Sequence, residues 1–174
     1  TDAEGVPVSL EDQDRRRWDA ELIDEGQLLL SEALAAGAPG PYAVQAAIAA
    51  LHVVAPSVAD SDWPQIAVLH DVLLAMTPSP MIELNRAVVV GLRDGPAAGL
   101  ELIDRLTDAP EPRHNHVLHA ARADLLTRHG RPAEAALAYR DALSCSASEP
   151  DRRYLQRQPR AVTALVARQD EGSG

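Results

Sequence analysis

Apolar residues recur three and four apart along most of the chain, and clusters of Pro, Gly and Ser interrupt them. Leu22, Ile23, Gly26, Leu29, Leu30, Ala33 and Leu34 form the first helical run, which Gly37-Ala38-Pro39-Gly40-Pro41 stops. Tyr42 to Val54 forms a second, apolar on most of its surface, which predicts a helix sandwiched between neighbours. Asp62 is placed to cap a third helix, with Trp63 next and Pro64 in the first turn, running to about Met76. Beyond the Thr77-Pro78-Ser79-Pro80 break, helices are expected at Met81–Leu92, Pro96–Leu106, His116–His129 and from Pro132 to near Ser144. Ser148-Glu149-Pro150-Asp151 reads as a capping box opening a last helix through Arg157, which Pro159 should kink or split. Ser9-Leu10-Glu11-Asp12 reads as another, ahead of a charged stretch ending near Trp18 and Asp19. Val88-Val89-Val90 is β-branched, but its flanks keep helical period, and no strand alternation is found elsewhere. The pattern predicts an all-α fold: a polar tail at 1–8, one helical-repeat domain over 9–168, and a polar tail at 169–174.

The chain also repeats itself. Leu84-Asn85-Arg86-Ala87-Val88-Val89-Val90 matches Ala120-Ala121-Arg122-Ala123-Asp124-Leu125-Leu126 at an offset of about 36 residues, a period typical of helix-pair repeats. The same offset carries Pro96 onto Pro132, Gly99 onto Ala135 and Ile103 onto Tyr139. The stretch from His119 to Ala142 resembles a tetratricopeptide (TPR) repeat, with Ala123 as its small residue, Gly130 as its turn, and Ala135, Tyr139 and Ala142 on the second helix. In the copy at 83–106, Asp94 stands at the position of the turn glycine. One helix pair cannot bury its apolar face alone, so TPR-like pairs are expected to stack into a short right-handed solenoid. Arg86 and Arg122 are equivalent in this repeat, and would point either to the concave face or along the pair seam.

Composition narrows the function. The chain has 174 residues, 46% of them hydrophobic and 3% aromatic, and contains no Phe. Its core must therefore come from Leu, Val, Ile and Ala, whose small members let helices approach closely. Sixteen basic residues, all Arg, face 26 acidic ones, for a net charge of -10. That field repels phosphate, so no direct nucleic-acid contact and no anionic membrane is expected, and a protein partner is. Cys145 is the only cysteine, which rules out an internal disulfide and suits a reducing cytoplasm. No apolar run approaches the roughly 20 residues of a membrane span. The chain starts at Thr1 without a signal-peptide pattern or an initiator Met, and is expected to be a piece of a longer protein.

No catalytic pattern emerges. His114-Asn115-His116-Val117-Leu118-His119 is the one metal-like cluster, with His116 and His119 three apart on a helix, but no carboxylate or thiolate joins them in sequence. The acids from Glu11 to Glu25 read as a solvated face laced to Arg15, Arg16 and Arg17 by local ion pairs. Every glycine near a helix end serves a turn, and none belongs to a phosphate loop. Trp18 and Trp63 fit buried packing better than exposed anchoring. No enzyme activity, metal or cofactor is expected.

Four segments, in order, resemble the C-terminal extension of one group of bacterial extracytoplasmic-function RNA polymerase sigma factors. They are Leu10-Glu11-Asp12-Gln13-Asp14-Arg15 with Trp18-Asp19; Gly40-Pro41-Tyr42 through Gln45 to Ala50; Pro78-Ser79-Pro80 through Leu84 to Val88; and Leu118 to Leu126. The resemblance implies a TPR-like regulatory domain, cytoplasmic, that follows promoter-reading regions absent here and takes the place of a separate anti-sigma partner. Its partners would be core RNA polymerase or the sigma regions of the same chain. The family's terminal acid-Arg-Arg-aromatic-Leu motif falls on Asp151, Arg152, Arg153, Tyr154 and Leu155, followed by Arg157. Ser148 stands where the family commonly has Asn. Candidate partner contacts are therefore Arg152, Arg153, Leu155 and Arg157, together with Asp14, Arg15 and Trp18, Asn85 and Arg86, and Arg122. The alternative is a free-standing peptide-binding adaptor using a concave face around Asn85 and Arg86.

Overall fold

The structure, a computed structural model, describes residues 1–107, 115–146 and 148–158, and every regular element among them is helical. α1 spans Ala20–Ala35, α2 Pro41–Val54, α3 Trp63–Met76, α4 Pro80–Asp94, α5 Pro96–Thr107, α6 His116–Arg128 and α7 Pro132–Cys145. Residues 149–158 form α8. The expected breaks fall between helices, and Val88-Val89-Val90 lies inside α4. The kink at Pro159, the tail at 169–174 and His114 lie outside the described residues.

The chain divides into two compact units, Ser9–Val89 and Thr1–Val8 with Val90–Gly174, where the sequence pattern suggests one domain. The division falls inside α4.

In the Ser9–Val89 unit, α1 packs on α2 and α2 on α3. Val44 and Ile48 of α2, Ile66, Ala67 and Leu73 of α3, and Val89 form the core, edged by Leu51, Trp63, Leu69 and Ile82. Asp62 caps α3 by accepting from the Gln65 amide at 3.0 Å. Two expectations are corrected here. The first concerns Ser9 to Asp12, where the capping-box contacts form: Ser9 Oγ donates to Asp12 Oδ2 at 2.6 Å and accepts from the Asp12 amide at 3.3 Å. No α-helix follows, only a 3-10 turn at Arg15–Arg17, and α1 waits for its own cap at Asp19. The charged stretch between has no apolar face to bury, and Asp14 bonds the local backbone instead, so helix nucleation has nothing to repay it. The second concerns α2, which lies between α1 and α3 as expected but is covered less than its apolar surface suggests: Val44 and Ile48 are its buried residues, and Tyr42 and Val54 are exposed.

In the second unit, α5 packs on α6 and α6 on α7. Ala123 of α6 and Ala135, Ala138 and Ala142 of α7 are buried, beside Leu118, Leu125, Leu126 and Tyr139. Small side chains at this spacing bring two helix axes together, which accounts for the extent of the α6–α7 contact. Burial pushes the Tyr139 phenol well above its ordinary value. Gly130 closes α6 at φ +74, with its amide donating to Thr127 O at 3.1 Å and that of Arg131 to Leu126 O at 2.9 Å. The corresponding turn of the earlier copy uses Gly95 at φ +103, one residue beyond Asp94, so the turn glycine is displaced rather than lost. Gly91 answers a different need: a Cβ there would lie 2.7 Å from Leu125 Cδ2 and 3.4 Å from Gly99 Cα. The expected tail at 1–8 is ordered into this unit. Val6 is buried, and Asp2 Oδ1 accepts from the amides of Glu4 and Val6, each at 2.9 Å.

Candidate partner-binding surface

The repeat-equivalent arginines lie along helix seams. In the first unit, Arg86 on α4 donates from Nε to Asp71 on α3. In the second, Arg122 on α6 donates from Nε to Asp104 on α5 at 2.9 Å. Each guanidinium is tied to an acid on the preceding helix, a pairing that residue spacing within the repeat does not reveal. Asn85 is exposed beside a partly covered Arg86. Among the described residues no three His, Cys, Asp or Glu side chains converge on a metal-like site. His116 Nε2 instead faces Asp151 Oδ2 at 3.5 Å.

Arg15 folds inward. Its Nη1 donates to the carbonyls of His52 (2.9 Å) and Ala55 (2.6 Å), at the C-terminal end of α2. That end carries unpaired carbonyls and the negative pole of the helix, so a guanidinium suits it. The guanidinium also lies over Trp18, 4.6 Å from the ring centroid, and Trp18 is half-buried. Arg16, not Arg15, makes the local ion pair with Asp14, at 2.9 Å; that pair, led by the side-chain hydrogen bond, holds the Asp14 carboxyl below its usual range. His52 packs edge-on against Trp63 at 5.5 Å. Burial, and then neighbouring positive charge, pushes both His52 and His70 below the ordinary histidine value. Nδ1 of each is buried without a hydrogen-bond partner among the described residues, as is Arg15 Nη2. A shallow pocket of about 250 Å³ lies beside Arg15, lined by residues from Leu10 to Arg16 and by Pro56, Ser57 and Val58.

The α8 motif splits between structure and surface. Leu155 is core, at 2% exposure. Arg152 Nη1 donates to the carbonyls of Leu143 and Ser146, both at 3.4 Å, and so caps the end of α7. Arg157 pairs with Asp2 (2.9 Å) and Glu4 (3.0 Å). The Asp2 carboxyl is held low first by the Val6 amide and then by Arg157. Arg153 is exposed, with its i,i+4 neighbour Glu149 at 3.1 Å. Arg153 and Arg157 are about equally open to solvent, at 51% and 53%, but Arg153 is paired within α8 whereas Arg157 ties down the N-terminal segment.

Among the described residues, α1 carries more exposed large apolar side chains than any other helix, a feature the sequence pattern obscures. The helix buries no residue. Leu22 is 64% exposed, Leu28 61% and Leu29 57%. Hydrophobic periodicity gives the width of an apolar arc, not which part of it a neighbour covers.

Comparison with known proteins gives two likenesses. Residues 1–34 match a family of unknown function, DUF6596. The chain is 38% identical over 157 residues to the uncharacterized protein R00370 of Rhizobium meliloti (strain 1021). The match covers 90% of this chain but 37% of that protein's length. No solved structure matches the chain.

Proposed function

We propose that this chain is the regulatory, non-catalytic protein-interaction module of a bacterial extracytoplasmic-function sigma factor, working in the cytoplasm through contact with core RNA polymerase or with the factor's own DNA-binding regions. Its adjacent helices are read as TPR-like pairs of a short right-handed solenoid. The observation that carries the reading is the ordered occurrence of four family-like segments along one all-helical chain. A chain that spans 37% of its relative leaves room for promoter-reading regions in the remainder. The net charge of -10 suits a module that stays off promoter DNA while its neighbours bind it. The adaptor alternative loses support because Arg86 is committed to Asp71, which leaves Asn85 without its cationic neighbour.

Promoter-specific transcription by the full-length factor, compared with one cut before Leu10, tests this reading. Altered output is expected, and unchanged output refutes a regulatory role. Within α8, Arg153→Glu is the sharper substitution, because Arg152 holds the end of α7 and its loss would disturb the fold. A folded but inactive Arg153→Glu factor supports docking through α8; normal activity removes it.

A further inference from the structure

The exposed large apolar side chains concentrate in the Ser9–Val89 unit, and α1 carries Leu22, Leu28, Leu29 and Leu34 among them. On α1, the half-buried Ile23, Gln27 and Leu30 mark the face turned to α2. A second stripe, Leu22, Gly26, Leu29 and Ala33, is exposed along its whole length. Its residues are four, three and four apart, so they stand above one another on the helix surface. Large and small residues alternate along it, leaving room over Gly26 and Ala33 for the side chains of a second helix. The stripe one residue earlier reads Glu21, Glu25, Leu28 and Glu32, also exposed. No described cation pairs with these three acids, and α1 itself contains no basic residue.

We propose that this face of α1 docks an amphipathic helix of a partner protein, with an apolar stripe facing Leu22 and Leu29 and Lys or Arg along the edge facing Glu21, Glu25 and Glu32. Charge selects this occupant. A second copy of the chain would set acids against acids in either helix direction. Anionic lipid and nucleic-acid phosphates meet the same repulsion. An apolar helix with a basic edge satisfies both stripes at once, in the manner of helix-in-groove recognition. The segment matched by the DUF6596 family includes this helix as far as Leu34. The inference rests on the reading of the chain as a protein-interaction module and adds to it the face and the chemistry of the partner.

The test uses a fluorescein-labelled synthetic peptide of about 16 residues, helical, with a Leu stripe and an adjacent Arg stripe. The 174-residue chain is titrated against it by anisotropy, and against a peptide of the same composition in scrambled order. Saturable 1:1 binding is expected, weakened at least about tenfold by scrambling or by Leu22→Ser with Leu29→Ser, as for a central apolar anchor. Glu25→Gln with Glu32→Gln should weaken it about threefold and reduce its salt dependence. Absence of saturable binding, equal binding of the scrambled peptide, or indifference to the leucine pair overturns the proposal. Dimerisation abolished by the leucine pair would assign the face to a second copy, and binding to phosphatidylglycerol vesicles abolished by it would assign the face to a membrane. Loss of folding in the leucine variant, read by circular dichroism, would show the stripe to be internal and likewise overturn the proposal. A peptide that fails to bind removes this face while the promoter assay still judges the regulatory reading. A bound peptide with unchanged promoter output does the reverse.

Discussion

The α6–α7 pair and helix α1 are built from similar residue types and have opposite fates. α6 and α7 each bury four residues, Leu118, Ala123, Leu125 and Leu126 on the first and Ala135, Ala138, Tyr139 and Ala142 on the second. α1, with leucines at equally regular spacing, buries none. The difference lies in what stands opposite. α6 packs on α7, and Ala123, Ala135, Ala138 and Ala142 are all buried, small side chains that allow two helices a close approach. Among the described residues α1 packs chiefly on α2, whose buried Val44 and Ile48 belong to the core shared with α3. A tight seam therefore needs complementary small residues on both helices, whereas a wide apolar arc with one neighbour leaves surface for something else.

Substitutions can break this contrast in graded steps. Leu126→Ala, in a fully buried position, should cost about 2–5 kcal/mol in chemical denaturation. A Leu29→Ala variant should fall within about 0.5 kcal/mol of the parent, as for a surface position. Equal costs at the two sites would erase the distinction. Ala135→Leu tests the seam from the other side, since a larger side chain must force α6 and α7 apart, at about 1–3 kcal/mol. Gly91→Ala should act similarly but more weakly, because the added methyl first meets the far end of a flexible side chain, Leu125 Cδ2, rather than backbone.

Acidification should separate the two units by pH window. His52 and His70 in the Ser9–Val89 unit have depressed values, so the folded state binds protons less readily than the unfolded one. Their contribution is fully present above the unfolded value of 6.5 and is lost as pH falls below it toward the folded values. In the second unit, the Asp2 and Glu134 carboxyls are held low, Glu134 mainly by its hydrogen bond from Arg131. Their contributions are lost only as pH falls below the ordinary carboxylate range. Amide exchange should therefore show α2 and α3 loosening between about pH 7 and about pH 5, with α6 and α7 unchanged there. His70→Gln should flatten the first response. The smallest effect is expected at Arg157→Gln, whose ion pairs with Asp2 and Glu4 are open to solvent and screened by salt. Its thermal midpoint should match that of the parent.

Much of this was legible in the residues. Proline at helix starts, the Gly130 turn and the alanines of α6 and α7 place most helices within two residues of where they stand, because such signals act locally. Long-range choices were not legible. Arg15 reads as one of three consecutive surface arginines, yet it alone reaches the carbonyl end of α2, some 40 residues away in sequence. Arg152 reads as half of a cationic pair, yet it caps α7 while Arg153 faces solvent. Arg86 and Arg122 could have lined a groove, but acids on the preceding helices hold both along seams. In each case the partner lies on another element, and an arginine is long enough to satisfy several geometries. The charged stretch before Asp19 misleads differently: a capping box can form its hydrogen bonds without a helix when nothing apolar follows to be buried.

The most direct measurement compares hydrogen exchange across α1 and α6 in the isolated 174-residue chain and in the full-length protein mixed with core RNA polymerase, the proposed partner. The account predicts slow exchange of α6 in both states, and exchange of α1 that is fast alone and markedly slowed in the assembly. Exchange of α1 that stays the same on assembly would contradict it.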